Sequence, residues 1–443
     1  MSVAASSLHK GMLRIALPTI FMNLSIPLLG AVDTAVVGHL ESILYVGAVS
    51  LGSLVFSVVA WGLSVVRMSV SGQTAQSHGR GDRTECGRIL GRGLALGLAL
   101  GLAVIALRGP IAAVAFALME GTPAVEAEAG RYFAIRALAA PADLVGLIFT
   151  GWFYGVHHVW MPVALQVAAN ALNMGLDWVF AIQWDGRAAG VAWATVVAQY
   201  SALFANAAWF AWRFPDLWRG PFTRAIWVRD DLLRLLRMNG DLFIRNVSLL
   251  AALSYFMARS AGHGELVLAV NGILVHFRQV TAFGLDGFAS GAQVLVGHAV
   301  GARAPGPLRE VIRLALGWGL AVGLLFAAAF WLARDPVLHA FTSHAEVRAA
   351  ALTFFLWVVI EPVVGNFAHI LDGVYFGATA SRTLRNAMLL AVFAFYFPVF
   401  WLLERAYGNH GMWAATVLLF VARGVFLGVP LWRALRRPEW RLA

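Results

Sequence analysis

The chain has 443 residues, of which 60% are hydrophobic and 13% charged. Soluble domains carry roughly 25% charged residues, so this balance excludes a soluble domain and describes a helical protein that crosses a membrane many times. The formal charge of +10 does not point to nucleic acid, because the basic residues, all arginine but Lys10, fall mostly in alternate loops, where membrane topology requires them.

Taken in order, twelve apolar stretches meet the length of about 20 residues that a spanning helix needs. They lie at 12–35, 45–72, 92–116, 127–153, 160–182, 188–212, 232–258, 265–298, 310–333, 346–376, 384–404 and 411–434. The eighth and tenth exceed that length, which predicts tilt or projection into the cytoplasm. The residues before Lys10 lack a cleavable signal pattern, so the first stretch is expected to start insertion itself. Alternate connections are basic: Lys10 and Arg14, then Arg80, Arg83, Arg88 and Arg92, then Arg213 through Arg237. The series continues with Arg303, Arg309 and Arg313, then Arg382 and Arg385, and ends at Arg433, Arg436, Arg437 and Arg441. The loops between them carry Glu41, Glu120, Glu126, Asp185, Glu265 and Glu346. Positive charge marks the cytoplasmic side, so both termini are expected in the cytoplasm, as an even number of spans requires. The single cysteine, Cys86, excludes an intramolecular disulfide and a cysteine-based metal site, and reads as a bystander thiol.

The longest polar interval, 213–230, separates two halves that repeat. Gly79 and Gly301 are 222 residues apart, as are Gly155 and Gly377. Residues 190–196 match 411–417 at an offset of 221, and Arg14 and Asn23 match Arg237 and Asn246 at 223. A six-helix unit has been duplicated, and an even-numbered unit repeats in the same orientation about an axis along the membrane normal. The expected organisation is an all-α integral membrane protein with a six-helix lobe at 1–212, a cytoplasmic linker at 213–230 and a second lobe at 231–443. Two such lobes suit alternating access, in which one bundle rocks against the other around a central site. That favours transport over catalysis.

Inside the fifth stretch, Gln166, Asn170, Asn173 and Asp177 are spaced 4, 3 and 4 apart, which puts four polar groups on one helical face. A carboxylate at that depth costs roughly 2.5–3.5 kcal/mol on the insertion scale unless it meets water, a partner or a proton. The stripe reads as the wall of an interior cavity. The competing reading is an interhelical hydrogen-bond seam, against which a second buried acid, Asp33, weighs.

These residues sit in a wider pattern. Asp33-Thr34-Ala35-Val36-Val37-Gly38-His39-Leu40 ends the first stretch, and Leu172-Asn173 to Leu176-Asp177 lies in the fifth. The second half has Leu285-Asp286-Gly287-Phe288-Ala289, residues 295–302 (Leu-Val-Gly-His-Ala-Val-Gly-Ala) and Leu371-Asp372-Gly373-Val374-Tyr375-Phe376-Gly377. In this order, on a 6+6 repeat, the chain resembles the multidrug and toxic compound extrusion transporters, in the branch of the DNA-damage-inducible protein F. The resemblance implies a V-shaped pair of lobes that exports organic, often cationic, compounds in exchange for protons or sodium ions. It places the coupling acid at Asp33, with Asp177, Asn173 and the Thr195 hydroxyl as partners. It also implies a bend in helix 1 at Pro18; Pro27 is a rival, since a proline inside a span kinks the helix by itself. The sequence departs from the family between helices 4 and 5, where Gly155-Val156-His157-His158-Val159-Trp160-Met161-Pro162 replaces a charged turn. Adjacent histidines on such a turn read as solvated rather than as metal ligands.

Gln166, Asn170, Asp286 and Asp372 are candidate cavity or second-lobe polar groups. Arg67, Arg278, Glu361 and Arg423 lie at membrane depth without a partner legible from sequence; for Arg67 and Arg278, a salt bridge or snorkelling competes with a substrate role. Asp241 and Arg245, four apart, are expected to pair locally. The chain holds no Walker phosphate loop, HExxH or GxSxG element, so neither ATP drive nor hydrolysis has its residues. The expected function is a proton-coupled, monomeric exporter of drug-like compounds in the bacterial inner membrane, with no cofactor. Its partners are small organic substrates, protons or sodium ions and the lipid bilayer. A sodium-coupled exporter, a flippase for lipids or lipid-linked saccharides, and a passive channel are the alternatives.

Overall fold

The structure is a computed structural model that describes residues 2–40, 42–119, 121–217 and 224–436, giving the backbone path alone for residues 2–6, 26–29, 31, 33, 34, 224 and 225. Among the described residues the only regular secondary structure is helix. Twelve rods follow one another, one for each predicted stretch. Rod 1 is α1 (Ser2–Gly38). Rod 2 is α2 (Ile43–Leu63) and α3 (Val65–Gly79), meeting at Ser64. Rod 3 is α4 (Arg83–Met119). Rod 4 joins α5 (Pro123–Arg136) to α6 (Ala140–Gly155) through a tight turn at Ala137–Ala139. Rod 5 is α7 (Trp160–Asp177), continued by the wider π-helix Trp178–Gln183, and rod 6 is α8 (Arg187–Arg213).

The second half repeats the series with α9 (Arg229–Gly262), α10 (Glu265–Gly301), α11 (Pro305–Phe341) and α12 (Ala345–Gly377). Rod 11 joins α13 (Ser381–Leu389) to α14 (Phe397–Tyr407) through the π-helix Leu390–Tyr396, and α15 (Asn409–Leu435) is the last. Among the described residues, ten rods are long and apolar enough to cross a membrane by length and composition. The other two are α1 and α7, and in α7 the four polar residues of the stripe dilute the apolar run. Most rods run longer than the predicted stretches because their polar ends continue the helix past the apolar segment.

The repeat is written into the backbone. Gly79 ends α3 and Gly301 ends α10; Gly155 ends α6 and Gly377 ends α12. Just beyond these ends, left-handed residues recur at the same offset of 222: Gly81 (φ 77°) with Arg303 (φ 53°), and His157 (φ 65°) with Thr379 (φ 56°). His157 therefore occupies a turn position. Glycine also sets how closely rods approach. A Cβ at Gly93 would stand 2.8 Å from an Ile148 methyl, and one at Gly97 would stand 3.3 Å from the Leu144 carbonyl, so the glycine row of α4 is the surface on which α6 lies.

The chain divides into two compact units, Phe21–Leu236 and Met1–Ile20 with Arg237–Ala443. The cut through α1 falls two residues beyond Pro18, which is buried. Before it, Met12, Ala16 and Ile20 lie against Gly287 and Gly291 of α10. The core of unit 21–236 is built on Trp152, Phe153, Phe210 and Phe214, whose rings meet edge-on or stacked. The core of the other unit gathers Phe256, Phe277, Phe355, Tyr396, Phe400 and Trp413.

Candidate functional site

The stripe on α7 is inward-facing. Asn170, Asn173 and Asp177 are 6%, 1% and 0% exposed, while Leu172 and Met174 between them are 42% and 37% exposed. Two hydrogen-bonded groups divide it. In the first, the Gln166 amide donates to Asn170 Oδ1 at 3.0 Å, and Asn170 Nδ2 donates to Ser25 Oγ of α1 at 3.0 Å. Ser25 in turn donates to the Met22 carbonyl at 2.7 Å. In the second, Asn173 Nδ2 donates both to Asp177 Oδ1 at 3.4 Å and to Thr195 Oγ1 of α8 at 3.3 Å. Thr195, also buried, donates to the Val191 carbonyl at 3.1 Å. The structure thus brings together Asn173, Asp177 and Thr195, and links Gln166 and Asn170 to α1. Ser25 was missed in the sequence; its signal is a hydroxyl two residues from Asn23 in the first spanning stretch.

Asp177 is the last α-helical residue before the π-helix. Single-turn π segments widen a helix locally and recur at functional sites. Asn173 uses its amide group twice, while its buried Oδ1 has no hydrogen-bond partner among the described residues. A buried acceptor without a donor costs about 1–3 kcal/mol, so this position favours a donor such as a carboxyl O–H, or a cation. Asp33 lies on the helical path of α1, but its side chain and that of Pro27 are outside the described residues.

The second repeat lacks this polar set. At the 222 offset, Asn173 and Asp177 correspond to Phe395 and Val399, whereas Thr195, at the 221 offset of residues 190–196, keeps a counterpart in Thr416. Thr416 donates to the Met412 carbonyl at 2.9 Å, as Thr195 does to Val191. Asp372 on α12 is not an open polar group: Arg245 of α9 and Arg423 of α15 both donate to its Oδ2, the latter at 2.6 Å. Asp286 on α10 faces a ring nitrogen of His369 at 3.3 Å, with its side chain 51% exposed.

The expected local pair of Asp241 and Arg245 does not form. Asp241 instead accepts from Ser381 Oγ at 2.7 Å and Arg385 Nη1 at 2.5 Å. Both residues turn from α9 toward neighbouring helices, where each buried charge meets a partner it would be costly to leave without. Arg67 lies 5.9 Å from the centre of the Tyr154 ring, an aromatic contact rather than a salt bridge. His158 is not simply solvated, because its ring packs edge-on against Trp209 and Phe214 at 5.9 and 5.4 Å.

Comparison with known proteins follows this geometry. The sequence model of the MatE family matches residues 18–179 and 243–402, one segment in each repeat. The DNA damage-inducible protein F of Escherichia coli (strain K12) is 35% identical over 441 residues, covering 98% of this chain and 94% of that protein. Among solved structures, the Vibrio cholerae MATE transporter VcmN in its bent form superposes with a TM-score of 0.87 at 21% identity, covering 98% of each chain. An outward-facing multidrug resistance MATE family transporter of the MOP superfamily gives 0.86 at 18% identity, covering 97% of each.

Proposed function

The chain belongs to the MatE family of multidrug and toxic compound extrusion transporters, and from that premise we propose that it is a secondary exporter of organic, often cationic or amphipathic compounds, driven by inward movement of protons. It acts as a monomer in a bacterial inner membrane, with both termini and the linker at 213–230 in the cytoplasm. The observation that carries the reading is the buried set of Asn173, Asp177 and Thr195, with a carboxylate 0% exposed and an amide already committed to two acceptors. Burial in apolar surroundings disfavours the charged form of a carboxyl group. Asp33 of α1 joins the set by sequence, and two nearby carboxylates would titrate as a coupled pair.

A proton arriving from outside binds to this pair and lowers its charge from two negative charges to one. Its O–H then supplies a donor that Asn173 Oδ1 lacks, the hydrogen bonds around Thr195 reorganise, and α1 moves near Pro18. The bound cation loses its counter-charge and leaves outward. A second reading, sodium coupling, is supported by the same cluster, since Asn173 Oδ1, Asp177 and Thr195 Oγ1 are the oxygen ligands that hard cations take.

The test is dye efflux from proteoliposomes with an imposed ΔpH or sodium gradient. Asp33→Asn, which inserts normally but cannot carry the proton, is expected to abolish ΔpH-driven efflux. Undiminished efflux from that variant overturns the mechanism, and a strict need for external sodium overturns the choice of ion. Lipid movement indifferent to both gradients would favour the flippase.

A further inference from the structure

The basic ends of matching rods differ between the two repeats. Helices α4 and α11 correspond at the 222 offset along their whole length, Arg83–Met119 to Pro305–Phe341. In the first repeat the linker closes over the start of α4. Its turns at Pro215–Leu217 and Arg224–Trp227 lie against that helix, and Leu217 and Ile226 are buried. Gly87 and Gly91 of α4 are buried as well. The residues in the same places on α11 are Arg309 and Arg313, and both are exposed. A face that is buried in one repeat therefore carries two arginines in the other.

Arg309 ties this face to the end of α15. Its Nη2 donates to the Leu435 carbonyl at 2.6 Å, one of the last carbonyls of that helix, which no helical N–H meets. Around Leu435 stand Trp432, Arg433 and Arg436, all exposed. The Arg436 guanidinium lies 3.5 Å from the centre of the Trp432 ring, a cation–π contact that fixes the charge against the helix surface. Glu310 is the one acid among residues 303–313 and 425–436, against five arginines.

Further along both rods the same faces turn apolar. On α11, Leu320 and Leu324 continue the spacing of Arg309 and Arg313; on α15, Val429 and Val425 continue that of Arg436 and Trp432. These four residues are 37–52% exposed. Cations at the foot of an exposed apolar wall suit an amphiphile that lies along the rods with its headgroup at the arginines. A free anion would leave the wall unused.

We propose that the ends of α11 and α15 bind an anionic phospholipid, with its phosphodiester held by Arg309, Arg313 and Arg436 and its acyl chains laid along the apolar faces. A guanidinium fork matches two phosphate oxygens at once. Trp432 sits where an indole ring is favoured, between the polar and apolar layers of a membrane. The excess of arginine selects an anionic headgroup over a zwitterionic one. The lipid covers in the second repeat the face that is buried in the first, whatever compound the protein exports.

Native mass spectrometry of the purified full-length protein tests this, by titration with a phosphatidylglycerol and with a phosphatidylcholine of the same acyl chains. The phosphatidylglycerol is expected to bind more tightly. One basic residue near an anionic headgroup is worth about fivefold in affinity, so Arg313→Gln with Arg436→Gln should weaken phosphatidylglycerol about 25-fold and leave phosphatidylcholine unchanged. Arg83→Gln with Arg234→Gln removes the same charge from exposed positions in the other unit and should change neither. Equal losses in the two double variants overturn the local site, and equal binding of the two lipids overturns the choice of headgroup. Displacement of phosphatidylglycerol by millimolar inorganic phosphate would reveal a plain anion site and overturn the lipid. Ending the chain at Arg436 should not raise the affinity; a rise would mean that the chain's own end competes for this face, and overturns the lipid as its occupant. If the double variant does not fold, as judged by gel filtration, Arg313→Gln alone serves: about a fivefold loss is expected, and an unchanged affinity refutes the site.

Discussion

Asp372 accepts from Arg245 and Arg423 through one oxygen, so one negative charge holds two positive ones at residues 5%, 8% and 1% exposed. Arg245 also donates to Asn246 Oδ1 at 2.7 Å, while Arg423 Nε and Nη1 and Arg245 Nε have no partner among the described residues. Asp372→Asn leaves two buried cations uncompensated, and breaking a buried pair from one side costs about 3–5 kcal/mol. Arg423→Met leaves a neutral pair, keeps the apolar stem and removes two orphan donors. It loses one charge-assisted hydrogen bond, about 1.5–3 kcal/mol, partly offset by relief of the repulsion between the arginines. The acid should therefore be the costly deletion. In the double variant, removal of one cation should recover about 0.5–3 kcal/mol, the range for residues in contact. Thermal unfolding in one detergent at fixed pH and salt reads this out, at about 2–4 °C per kcal/mol for a unit of this size. An Arg423→Met variant as unstable as Asp372→Asn, or additive effects in the double variant, would refute the reasoning.

Asn173→Ala removes the donor to both Asp177 and Thr195 and should weaken ΔpH-driven efflux severalfold, whereas Thr195→Val, which keeps the shape of α8, should weaken it less; equal effects would show that the amide has no special place. Arg229→Cys in a Cys86→Ser background should resist an impermeant thiol reagent applied outside intact cells, and ready labelling would break the topology. Pro18→Ala restores a helical donor, removing a defect worth roughly 3 kcal/mol in a regular helix, and should leave a folded protein with slower turnover; unchanged turnover would make that bend incidental. Burial, and then the neighbouring Arg213, hold the His158 imidazole below its ordinary 6.5, so below that pH the unfolded chain binds more protons. Stability should then fall as pH falls through this window, and His158→Gln should flatten that slope in unfolding measured across it.

The rods and the repeat were legible because the bilayer fixes the length and composition of every span, and because glycines at helix ends recur at one offset. The stripe on α7 was legible because helical spacing reports which side chains share a face. Partners between rods were not. Asp372 meets arginines 127 and 51 residues away, and Asp241 prefers Arg385, 144 residues away, to Arg245 four residues on. Spacing along a chain ranks only neighbours on one helix, whereas a buried carboxylate takes the cation that packing delivers. The two repeats make the same point from opposite sides. Thr195 and Thr416 both donate to the carbonyl four residues back, a bond each helix satisfies by itself, and both persist. Asn173 also reaches Thr195 on another rod, and the positions matching Asn173 and Asp177 are Phe395 and Val399, while Asp372, Arg245 and Arg423 gather in the repeat that lacks them. The repeats share the bonds a helix makes within itself and differ in the charges between helices, so the chemistry of the two halves has to be read from contacts rather than from their shared pattern.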